Sequence, residues 1–407
     1  MLNKQISPDS GPGTDAYFAA ALSLHKYLVA RHWNGRALLG PDPGVRLNYR
    51  IGRFVKSYVP RQSWNDDLFY LQAQGYWALA NWQLFARTGL KAYRDIAING
   101  ARHIVARQRA DGAWDYPNPE WKGRVATVEG IWASIGLLEA SRGTADAAFV
   151  GAALHWHTFL LERIGFQRAG DELAINYFAA RDSGRVPNNS TDVLRYLAEL
   201  SDVTGDDLYL VPRTGLLTFL RHVQKPSGEF PYAVGTSDPH ERRPHFQCYQ
   251  YNAFQCLGLM RYYELTRDPA ALPIITGILR FLRTGVAADG HALYECGNRY
   301  RAVTYHAAVL GAAFARAGQL GIDGYEDLSH RAFSYVLRMR RGDGNYKYST
   351  GDYRVLSDRR SYPRYLAMIL HHLLLRVSAS ETRGGYGVPA STQRDQHEGE
   401  QGRRCAS

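Results

Sequence analysis

The sequence predicts an all-α protein built as an (α/α)6 toroid, which is a closed ring of six helical hairpins. Three observations support this prediction. A Gly-x-x-x-Tyr turn recurs along the chain, each interval between turns has room for two helices, and apolar residues return every three or four positions within the intervals. A repeat of this size is typical of proteins made from stacked supersecondary units.

The recurring turn begins with glycine and reaches tyrosine four residues later. Copies begin at Gly112, Gly228, Gly290 and Gly344, and a weaker copy begins at Gly170, where the tyrosine comes late. The five glycines lie 54 to 62 residues apart. Glycine suits such turns because it adopts backbone conformations that other residues avoid.

Each interval contains two segments with the apolar period of a packed helix. The predicted pairs are residues 67–88 with 93–109, 125–141 with 146–161, 190–203 with 208–223, 247–266 with 272–282, and 303–320 with 325–339. One further helix at each end, 16–31 and 362–377, brings the total to twelve. Twelve helices form six hairpins when the terminal pair closes the ring. An open helical solenoid is the alternative, but the terminal helices lack the polar outer face of capping repeats.

The domain organisation follows from the same pattern. Residues 1–377 are predicted to form one toroid domain. Within it, residues 34–64 are punctuated by Gly and Pro without a helical period, which predicts a long loop over one mouth of the ring. Residues 378–407 are rich in Gly, Ser, Gln and charge, which predicts a disordered tail.

The composition limits the functional classes. The formal charge of +11 favours an anionic partner, such as an acidic glycan or another small or oligomeric anion, although a basic surface without such a partner is also common. No nucleic-acid-binding motif occurs, and no apolar run is long enough for a signal peptide or a membrane span. These features predict a cytoplasmic protein and leave its oligomeric state open.

The four cysteines predict neither a metal site nor a redox centre. Cys248, Cys256, Cys296 and Cys405 show no paired spacing, and no CxxC motif is present. No phosphate-binding or dinucleotide-binding motif occurs in a useful context. We therefore expect no metal and no cofactor.

Candidate site residues lie in the turns and at the starts of the inner helices, which gather on one face of such a ring. The substrate-binding candidates are Trp64, Trp114, Tyr116, Asn189, Tyr232, Asn252, Tyr294, Tyr348 and Arg364. The catalytic candidates are Asp67, Glu129, Tyr249 and His306, because carboxylate, phenol and imidazole groups perform general acid/base catalysis. Asp66 and Asp67 with Glu129 are a candidate carboxyl pair of a glycosidase. Structural roles are the alternative, since polar residues at helix starts act as caps and tyrosines pack on helix ends.

Two resemblances accompany these residues. The segment from Gln108 to Trp114 resembles the QW turn of triterpene cyclases and their toroidal prenyltransferase relatives. The acidic DxDD motif of those cyclases is missing, and Asp66-Asp67 is only a fragment of it. The turn therefore supports the toroid more than terpene chemistry.

The segment from Tyr249 to Asp268 is similar to the inner helix and TxD turn of carbohydrate-active (α/α) toroids. These include uronyl C5-epimerases, polysaccharide lyases and unsaturated glucuronyl hydrolases. In the epimerases and lyases, Tyr, His or Glu removes the proton next to the uronate carboxylate, while Arg or Asn neutralises that carboxylate. The resemblance implies Tyr249, His306 and Glu129 as acid or base.

The same resemblance implies that Asn252 and Arg364 hold the carboxylate. The sequence thus predicts an enzyme that modifies or cleaves an acidic glycan or glycoconjugate, as an epimerase, lyase or hydrolase in polysaccharide biosynthesis or processing. A terpene cyclase or prenyltransferase-like toroid and a non-catalytic binding scaffold are the alternatives.

Overall fold

The computed structural model describes residues 14–45, 51–59, 62, 64–179, 184–235 and 245–383 of the 407-residue chain. The α-helices of these residues are α1 (Thr14–Arg31), α2 (Ile51–Tyr58), α3 (Leu71–Thr88), α4 (Lys91–Ala106), α5 (Thr127–Thr144), α6 (Ala147–Phe159), α7 (Pro187–Thr204), α8 (Arg213–Val223), α9 (Cys248–Thr266), α10 (Ala271–Leu282), α11 (Thr304–Gln319), α12 (Glu326–Arg338) and α13 (Pro363–Arg383).

The helices form the predicted closed ring. The inner helices are α3, α5, α7, α9, α11 and α13, and each packs against the next, with α13 returning to α3. The outer helices α4, α6, α8, α10 and α12 follow their inner partners, and α1 packs on α13. The first helix of the chain therefore completes the last hairpin, and the (α/α)6 toroid is confirmed.

Burial distinguishes the two sets of helices. In the inner helix α11, every residue from Thr304 to Ala315 is buried. In the outer helix α10, Ile275, Leu279 and Leu282 are buried while Arg280 is exposed. An inner helix contacts two inner neighbours and the outer layer, whereas an outer helix has one face in water. This difference explains why the inner segments contain the richer apolar runs.

Glycine is required at the four strong turns. Gly112, Gly228, Gly290 and Gly344 have φ angles of 88°, 93°, 87° and 89°, in the region that favours glycine. Each turn also presses against the outer helix of the next hairpin. At Gly228, for example, an added Cβ would overlap the carbonyl oxygen of Gly277 in α10. The repeated turn is therefore a contact between neighbouring hairpins.

The weaker copy at Gly170 is a different structure. Gly170 has a φ of 58° and lies in the turn between β1 (Phe166–Ala169) and β2 (Glu172–Ile175), which pair antiparallel. A Cβ at Gly170 would meet nothing within 4 Å. The late tyrosine reflects this β-hairpin, which is inserted between α6 and α7.

A second small sheet lies near the start of α11. It joins β3 (Ala302–Val303), β4 (Ser349–Asp352) and β5 (Leu356–Asp358) in antiparallel order, with Val303 opposite Ser349. Strands of two to four residues are too short to show a period of two in the sequence. Neither sheet can therefore be predicted from the sequence.

The structure differs from the sequence prediction in residues 34–64. Residues 51–58 form helix α2, while residues 46–50, 60, 61 and 63 lie outside the described residues. In α2, the Ser57 hydroxyl lies 3.3 Å from the Tyr362 hydroxyl, and Arg53 lies 3.6 Å from a carboxylate oxygen of Asp358. An eight-residue helix is too short to be stable alone, so these contacts stabilise it.

The chain end also differs in detail. Helix α13 continues to Arg383, past the predicted end at residue 377. Residues 384–407 of the predicted tail lie outside the described residues. Within the described ranges, the helices lack the length and apolar character that crossing a membrane requires.

Candidate active site

The first turns of all six inner helices open into one cavity at one face of the ring. Its empty volume, measured out to the mouth, is about 760 Å³. The lining side chains are Gln72 of α3; Val128, Glu129 and Trp132 of α5; Asn188, Asn189 and Asp192 of α7; Gln250, Tyr251 and Phe254 of α9; Tyr305 of α11; Arg364, Tyr365 and Met368 of α13; and Tyr116, Tyr177, Val186 and Tyr232 from the connections. Helix N-termini carry a partial positive charge, so their convergence favours anionic groups here.

Two buried carboxyl groups line this cavity. Glu129 lies in the first turn of α5, and its Oε2 accepts hydrogen bonds from the backbone N–H groups of Leu71 at 2.6 Å and Gln72 at 3.2 Å. Burial raises the pKa of Glu129 to about 7, although Arg364 and these two donors oppose the rise. Within the described residues, the hydrogen bonds of this carboxyl group all involve Oε2.

Asp192 is the second carboxyl group, in the second turn of α7. Its Oδ2 accepts a hydrogen bond from Asn188 Nδ2 at 3.3 Å. Burial raises the pKa of Asp192 to about 7, and the nearby Arg195 opposes the rise. Asp192 is not among the predicted catalytic residues, which include Asp67. The spacing Pro187-x-x-x-x-Asp192, which places a carboxylate one turn inside a helix start, is the signal that was available.

Three amide side chains line the cavity with polar atoms that lack protein partners. They are Asn188 Oδ1, Asn189 Nδ2 and Gln250 Oε1, all buried and without a hydrogen bond. An unpaired buried polar atom costs about 1–3 kcal/mol. A ligand rich in hydroxyl groups removes this cost, since each hydroxyl both donates and accepts a hydrogen bond.

Aromatic rings form much of the remaining wall. Tyr232 packs against Tyr251 with ring centroids 5.0 Å apart, and Tyr305 packs against Tyr365 at 4.4 Å. Trp132 stacks on Tyr76 at 4.0 Å below the cavity. Tyrosine offers a flat apolar face and a polar tip, which suits the alternating apolar and hydroxyl surfaces of a sugar ring.

Arg364 is held in place by Asp42, which is not among the predicted site residues. Its Nη2 donates to Asp42 Oδ1 at 2.9 Å, and its Nε lies 2.7 Å from Asp42 Oδ2. The guanidinium also lies over the rings of Tyr70 and Tyr365, at 4.3 and 4.7 Å from their centroids. Burial alone would lower the pKa of Arg364, but Asp42 and the surrounding phenols keep it well above its usual value. Asp42 lies in Pro41-Asp42-Pro43-Gly44, which showed only a turn pattern.

The other side of the ring has a second, more charged cavity. Trp132, Asp192 and Phe254 line both cavities, so they form the narrow layer between them. The second wall carries Glu139, Arg195, Glu199, Arg261, Glu264 and Arg316. Its charges are largely paired with each other, as in the contact of Glu199 with Arg142 and Arg261.

The structure brings five of the sequence-predicted site residues to the first cavity. They are Tyr116, Glu129, Asn189, Tyr232 and Arg364. The other eight do not line it; they are Trp64, Asp67, Trp114, Tyr249, Asn252, Tyr294, His306 and Tyr348. Helix phase and local packing explain these differences.

Tyr249 and His306 point away from the cavity. The Tyr249 ring stacks on Phe281 of the outer helix α10 at 4.9 Å, and its hydroxyl lies 3.2 Å from Thr284 Oγ1. Its successors Gln250 and Tyr251 line the cavity, because each residue turns about 100° around a helix. His306 is fully buried, and burial together with the positive charge of Arg301 lowers its pKa well below the usual value.

Asp67 and Trp64 lie in the segment before α3. Asp67 is exposed to solvent rather than directed into the cavity. The Trp64 indole donates to Asp66 Oδ2 at 2.5 Å and packs edge-on against Tyr362 at 5.3 Å. The carboxyl group that accompanies Glu129 in the cavity is therefore Asp192 and not Asp66 or Asp67.

The remaining four residues support the turns. Asn252 accepts a hydrogen bond from the Phe230 backbone N–H at 2.8 Å and donates to the Phe230 carbonyl at 3.1 Å. The Trp114 indole donates to the Ile104 carbonyl at 2.9 Å within the core. Two tyrosines pack on neighbouring rings: Tyr294 on His306 at 5.6 Å, and Tyr348 on Tyr362 at 4.7 Å.

The sequence matches no family model and no curated protein. Solved structures match it over most of the chain. A cellobiose 2-epimerase from Bacillus thermoamylovorans superposes with a TM-score of 0.69 at 13% identity, covering 89% of this chain and 100% of that one. A glycosyl hydrolase family 88 protein from Bacteroides vulgatus gives 0.61 at 10% identity, with 90% and 100% covered.

A polysaccharide lyase gives a TM-score of 0.65 at 11% identity, with 91% of this chain and 98% of that one covered. All three are (α/α)6 toroids of carbohydrate-active enzymes, which confirms the likeness that the sequence indicated. At these identities the similarity establishes the fold: this chain has the (α/α)6 toroid of that group of enzymes.

Proposed function

We propose that this protein is a carbohydrate-active enzyme that cleaves a glycosidic bond by general acid/base catalysis, with Glu129 and Asp192 as its two carboxyl groups. The observation that carries the proposal is that both groups line one cavity and both have a pKa of about 7. Near neutral pH each group is protonated in about half of the molecules, so one can act as the acid while the other acts as the base.

The surroundings of the two groups assign their roles. Glu129 receives two backbone N–H donors and lies near Arg364, and these contacts favour its ionised form. We assign Glu129 as the base or nucleophile. Asp192 has one amide donor, from Asn188, and is assigned as the acid that protonates the leaving oxygen.

The cavity favours a sugar over a prenyl chain. Asn189 Nδ2 and Gln250 Oε1 are buried without partners, and a hydrocarbon ligand would leave them unpaired. These features argue against the terpene cyclase and prenyltransferase alternatives. Tyr249 and His306 do not line the cavity, which weakens the support for proton abstraction by either group in an epimerase.

An acidic glycan is the preferred substrate class within this proposal. Arg364 and the N-termini of the inner helices supply positive potential at one mouth. Because Asp42 neutralises part of the Arg364 charge, this preference rests mainly on the helix N-termini. The structural relatives include a lyase and a family 88 hydrolase as well as an epimerase, so they do not distinguish cleavage from epimerisation. A role in cytoplasmic polysaccharide biosynthesis or processing is still a prediction from the sequence.

The test is incubation of the purified protein in heavy water with a panel of neutral and uronate-containing oligosaccharides, followed by proton NMR. New reducing ends support hydrolysis, and a new vinyl proton indicates elimination. Once a substrate is found, Glu129→Gln and Asp192→Asn should each lower kcat by about 10²-fold or more.

Matched controls lie on the same two helices at the opposite end of the ring. Glu139→Gln on α5 and Asp202→Asn on α7 remove carboxylates that do not line the cavity, and they should leave kcat within about twofold. Full cleavage by the Glu129 or Asp192 variant would contradict the proposal. Deuterium exchange without cleavage would favour an epimerase, and tight binding without turnover would favour a scaffold.

A further inference from the structure

Four metal-ligating side chains converge beside the cavity wall. They are Glu229, His245, Cys248 and Cys296, and one ligand atom from each lies within 4.8 Å of those of the other three. The two thiol sulfurs are 3.5 Å apart, and His245 Nδ1 lies 2.9 Å from Glu229 Oε1. Glu229 and Cys248 are buried, Cys296 is half-buried and His245 is exposed, so an ion can reach the group from solvent.

The fold assembles this cluster from two neighbouring turns and one helix start. Glu229 follows the glycine of the second strong turn, and Cys296 follows the third strong turn. Cys248 is the first residue of α9, and His245 precedes it by three positions. The sequence predicts no metal site, because no CxxC pair occurs. His245-x-x-Cys248 was the only local signal.

We propose that these four side chains form a zinc site. Two thiolates, one imidazole and one carboxylate are all preferred zinc ligands, and four protein ligands are typical of a structural site. With zinc–sulfur bonds of about 2.3 Å and tetrahedral angles, two ligand sulfurs lie about 3.8 Å apart. The observed 3.5 Å is close to that value, whereas a disulfide requires about 2.05 Å.

The charges near the cluster fit a divalent cation. Two thiolates and one carboxylate bring three negative charges, and zinc leaves one of them in excess. Lys225 Nζ lies 3.0 Å from Glu229 Oε2 and offsets that charge. Binding releases the protons of both thiols to solvent, since the metal ligand is the thiolate.

A zinc ion at this site would hold one wall of the cavity in place. Tyr232 lies three residues after Glu229, and Tyr251 lies three residues after Cys248; both line the cavity. A metal ion would join the turns before α9 and α11 and thereby hold these two tyrosines in place. The zinc site does not depend on the proposed glycosidase activity.

The experiment measures metal content in the full-length chain, purified without a histidine tag under reducing conditions and dialysed after exposure to zinc. We expect about one zinc per chain by elemental mass spectrometry. The apoprotein, reloaded with cobalt alone, should show the thiolate charge-transfer and visible bands of a tetrahedral site. This readout needs no substitution, so it is independent of variant folding.

The variants are Cys248→Ser and Cys296→Ser, with Cys256→Ser as the matched control. Cys256 is a buried cysteine on the same helix α9 that is not part of the cluster. Both ligand variants should lose the zinc and the cobalt bands, while Cys256→Ser keeps both. Addition of a chelator should lower the Tm of the wild-type protein and of Cys256→Ser.

Several results would overturn the proposal. The wild-type protein could bind no zinc and show no cobalt bands, or Cys296→Ser could keep its full zinc content. Mass spectrometry of proteolytic peptides could also find Cys248 and Cys296 joined, with a mass two hydrogens lower than that of the two free thiols. The last result would identify the pair as a disulfide. Loss of glycan cleavage alone would bear on the proposed function and not on the metal site.

Discussion

The Glu129 carboxylate caps a neighbouring helix, because its Oε2 lies 2.6 Å from the backbone nitrogen of Leu71 at the start of α3. The residue that precedes α3, Tyr70, supplies no side-chain cap of its own. The first N–H groups of a helix need partners from outside it, and here an adjacent inner helix provides one. The same contact fixes the orientation of a carboxyl group that lines the cavity.

The first prediction concerns the stability of Glu129→Gln. The pKa of Glu129 is about 7 in the folded protein, against 4.5 for an ordinary glutamate, so the folded state binds the proton more tightly. This group therefore lowers the stability as pH rises from about 4.5 to 7, by up to about 3 kcal/mol. Glu129→Gln should be more stable than wild type at pH 8, with a smaller difference at pH 5. Urea unfolding at both pH values measures this, and a less stable variant at pH 8 would contradict it.

The pH profile of activity is the second prediction. Because Glu129 and Asp192 both have a pKa of about 7, kcat/KM should be bell-shaped with a maximum near neutral pH. In Asp192→Asn the residual activity should keep only the acidic limb, which reports ionisation of Glu129. A flat profile from pH 5 to 9 would argue against this pair.

The third prediction concerns the charged cavity at the other face. Glu199 contacts Arg142 at 2.6 Å and Arg261 at 2.8 Å. Burial alone would raise the pKa of Glu199, but the arginines, led by Arg261, lower it to about 2. Its stabilising contribution is therefore present above pH 4.5 and is lost as pH falls toward 2. Glu199→Gln should lower the free energy of unfolding at pH 7 by about 1.5–3 kcal/mol, because it removes charged hydrogen bonds from a buried carboxylate, while Arg142 keeps Asp202 and Arg261 keeps Glu264 as partners.

The control for Glu199 is Asp202→Asn. Asp202 also contacts Arg142, at 2.6 Å, but its side chain is 45% exposed. An exposed ion pair contributes about 1 kcal/mol or less, so this variant should change little. Chemical unfolding of both variants gives the comparison. Equal losses for the two would show that burial does not set the strength of this network.

The turns provide the fourth prediction. Gly228→Ala introduces a Cβ at a φ of 93° and against the backbone of α10, whereas Gly170→Ala introduces one at a φ of 58° into open space. We expect about 1–2 kcal/mol of destabilisation at Gly170, from backbone strain alone. Gly228→Ala should cost clearly more, because the hairpins must also separate. Thermal or urea unfolding tests the order, and equal costs would show that the contact between hairpins contributes nothing.

Arg364→Lys tests the preference for acidic glycans. Lysine cannot reproduce the two contacts with Asp42 or the planar stacking on Tyr70 and Tyr365. We expect KM to rise about tenfold, equal to about 1.4 kcal/mol, for uronate-containing substrates and to change less for neutral ones. An equal increase for both classes would assign Arg364 to the support of the cavity wall alone.

The sequence by itself determined the architecture. The repeated turn at Gly112, Gly228, Gly290 and Gly344 and the helical period between the turns predicted six hairpins, and the structure contains them. This succeeded because both signals are local: a left-handed glycine and an apolar face are encoded within a few residues. It also identified the face of the ring where the inner helices begin, and with it Glu129, Asn189 and Arg364 as cavity residues.

Only the tertiary structure decided which neighbours within those helix starts face the cavity. Tyr251 lines it and Tyr249 does not, because two residues along a helix differ by about 200° in direction. Asp42 meets Arg364 across 322 positions of sequence, and Cys296 meets Cys248 across 48. Such contacts leave no local pattern, because ring closure and the packing of successive turns create them. The same is true of the pKa values of Glu129 and Asp192, which depend on burial that forms only when the ring closes.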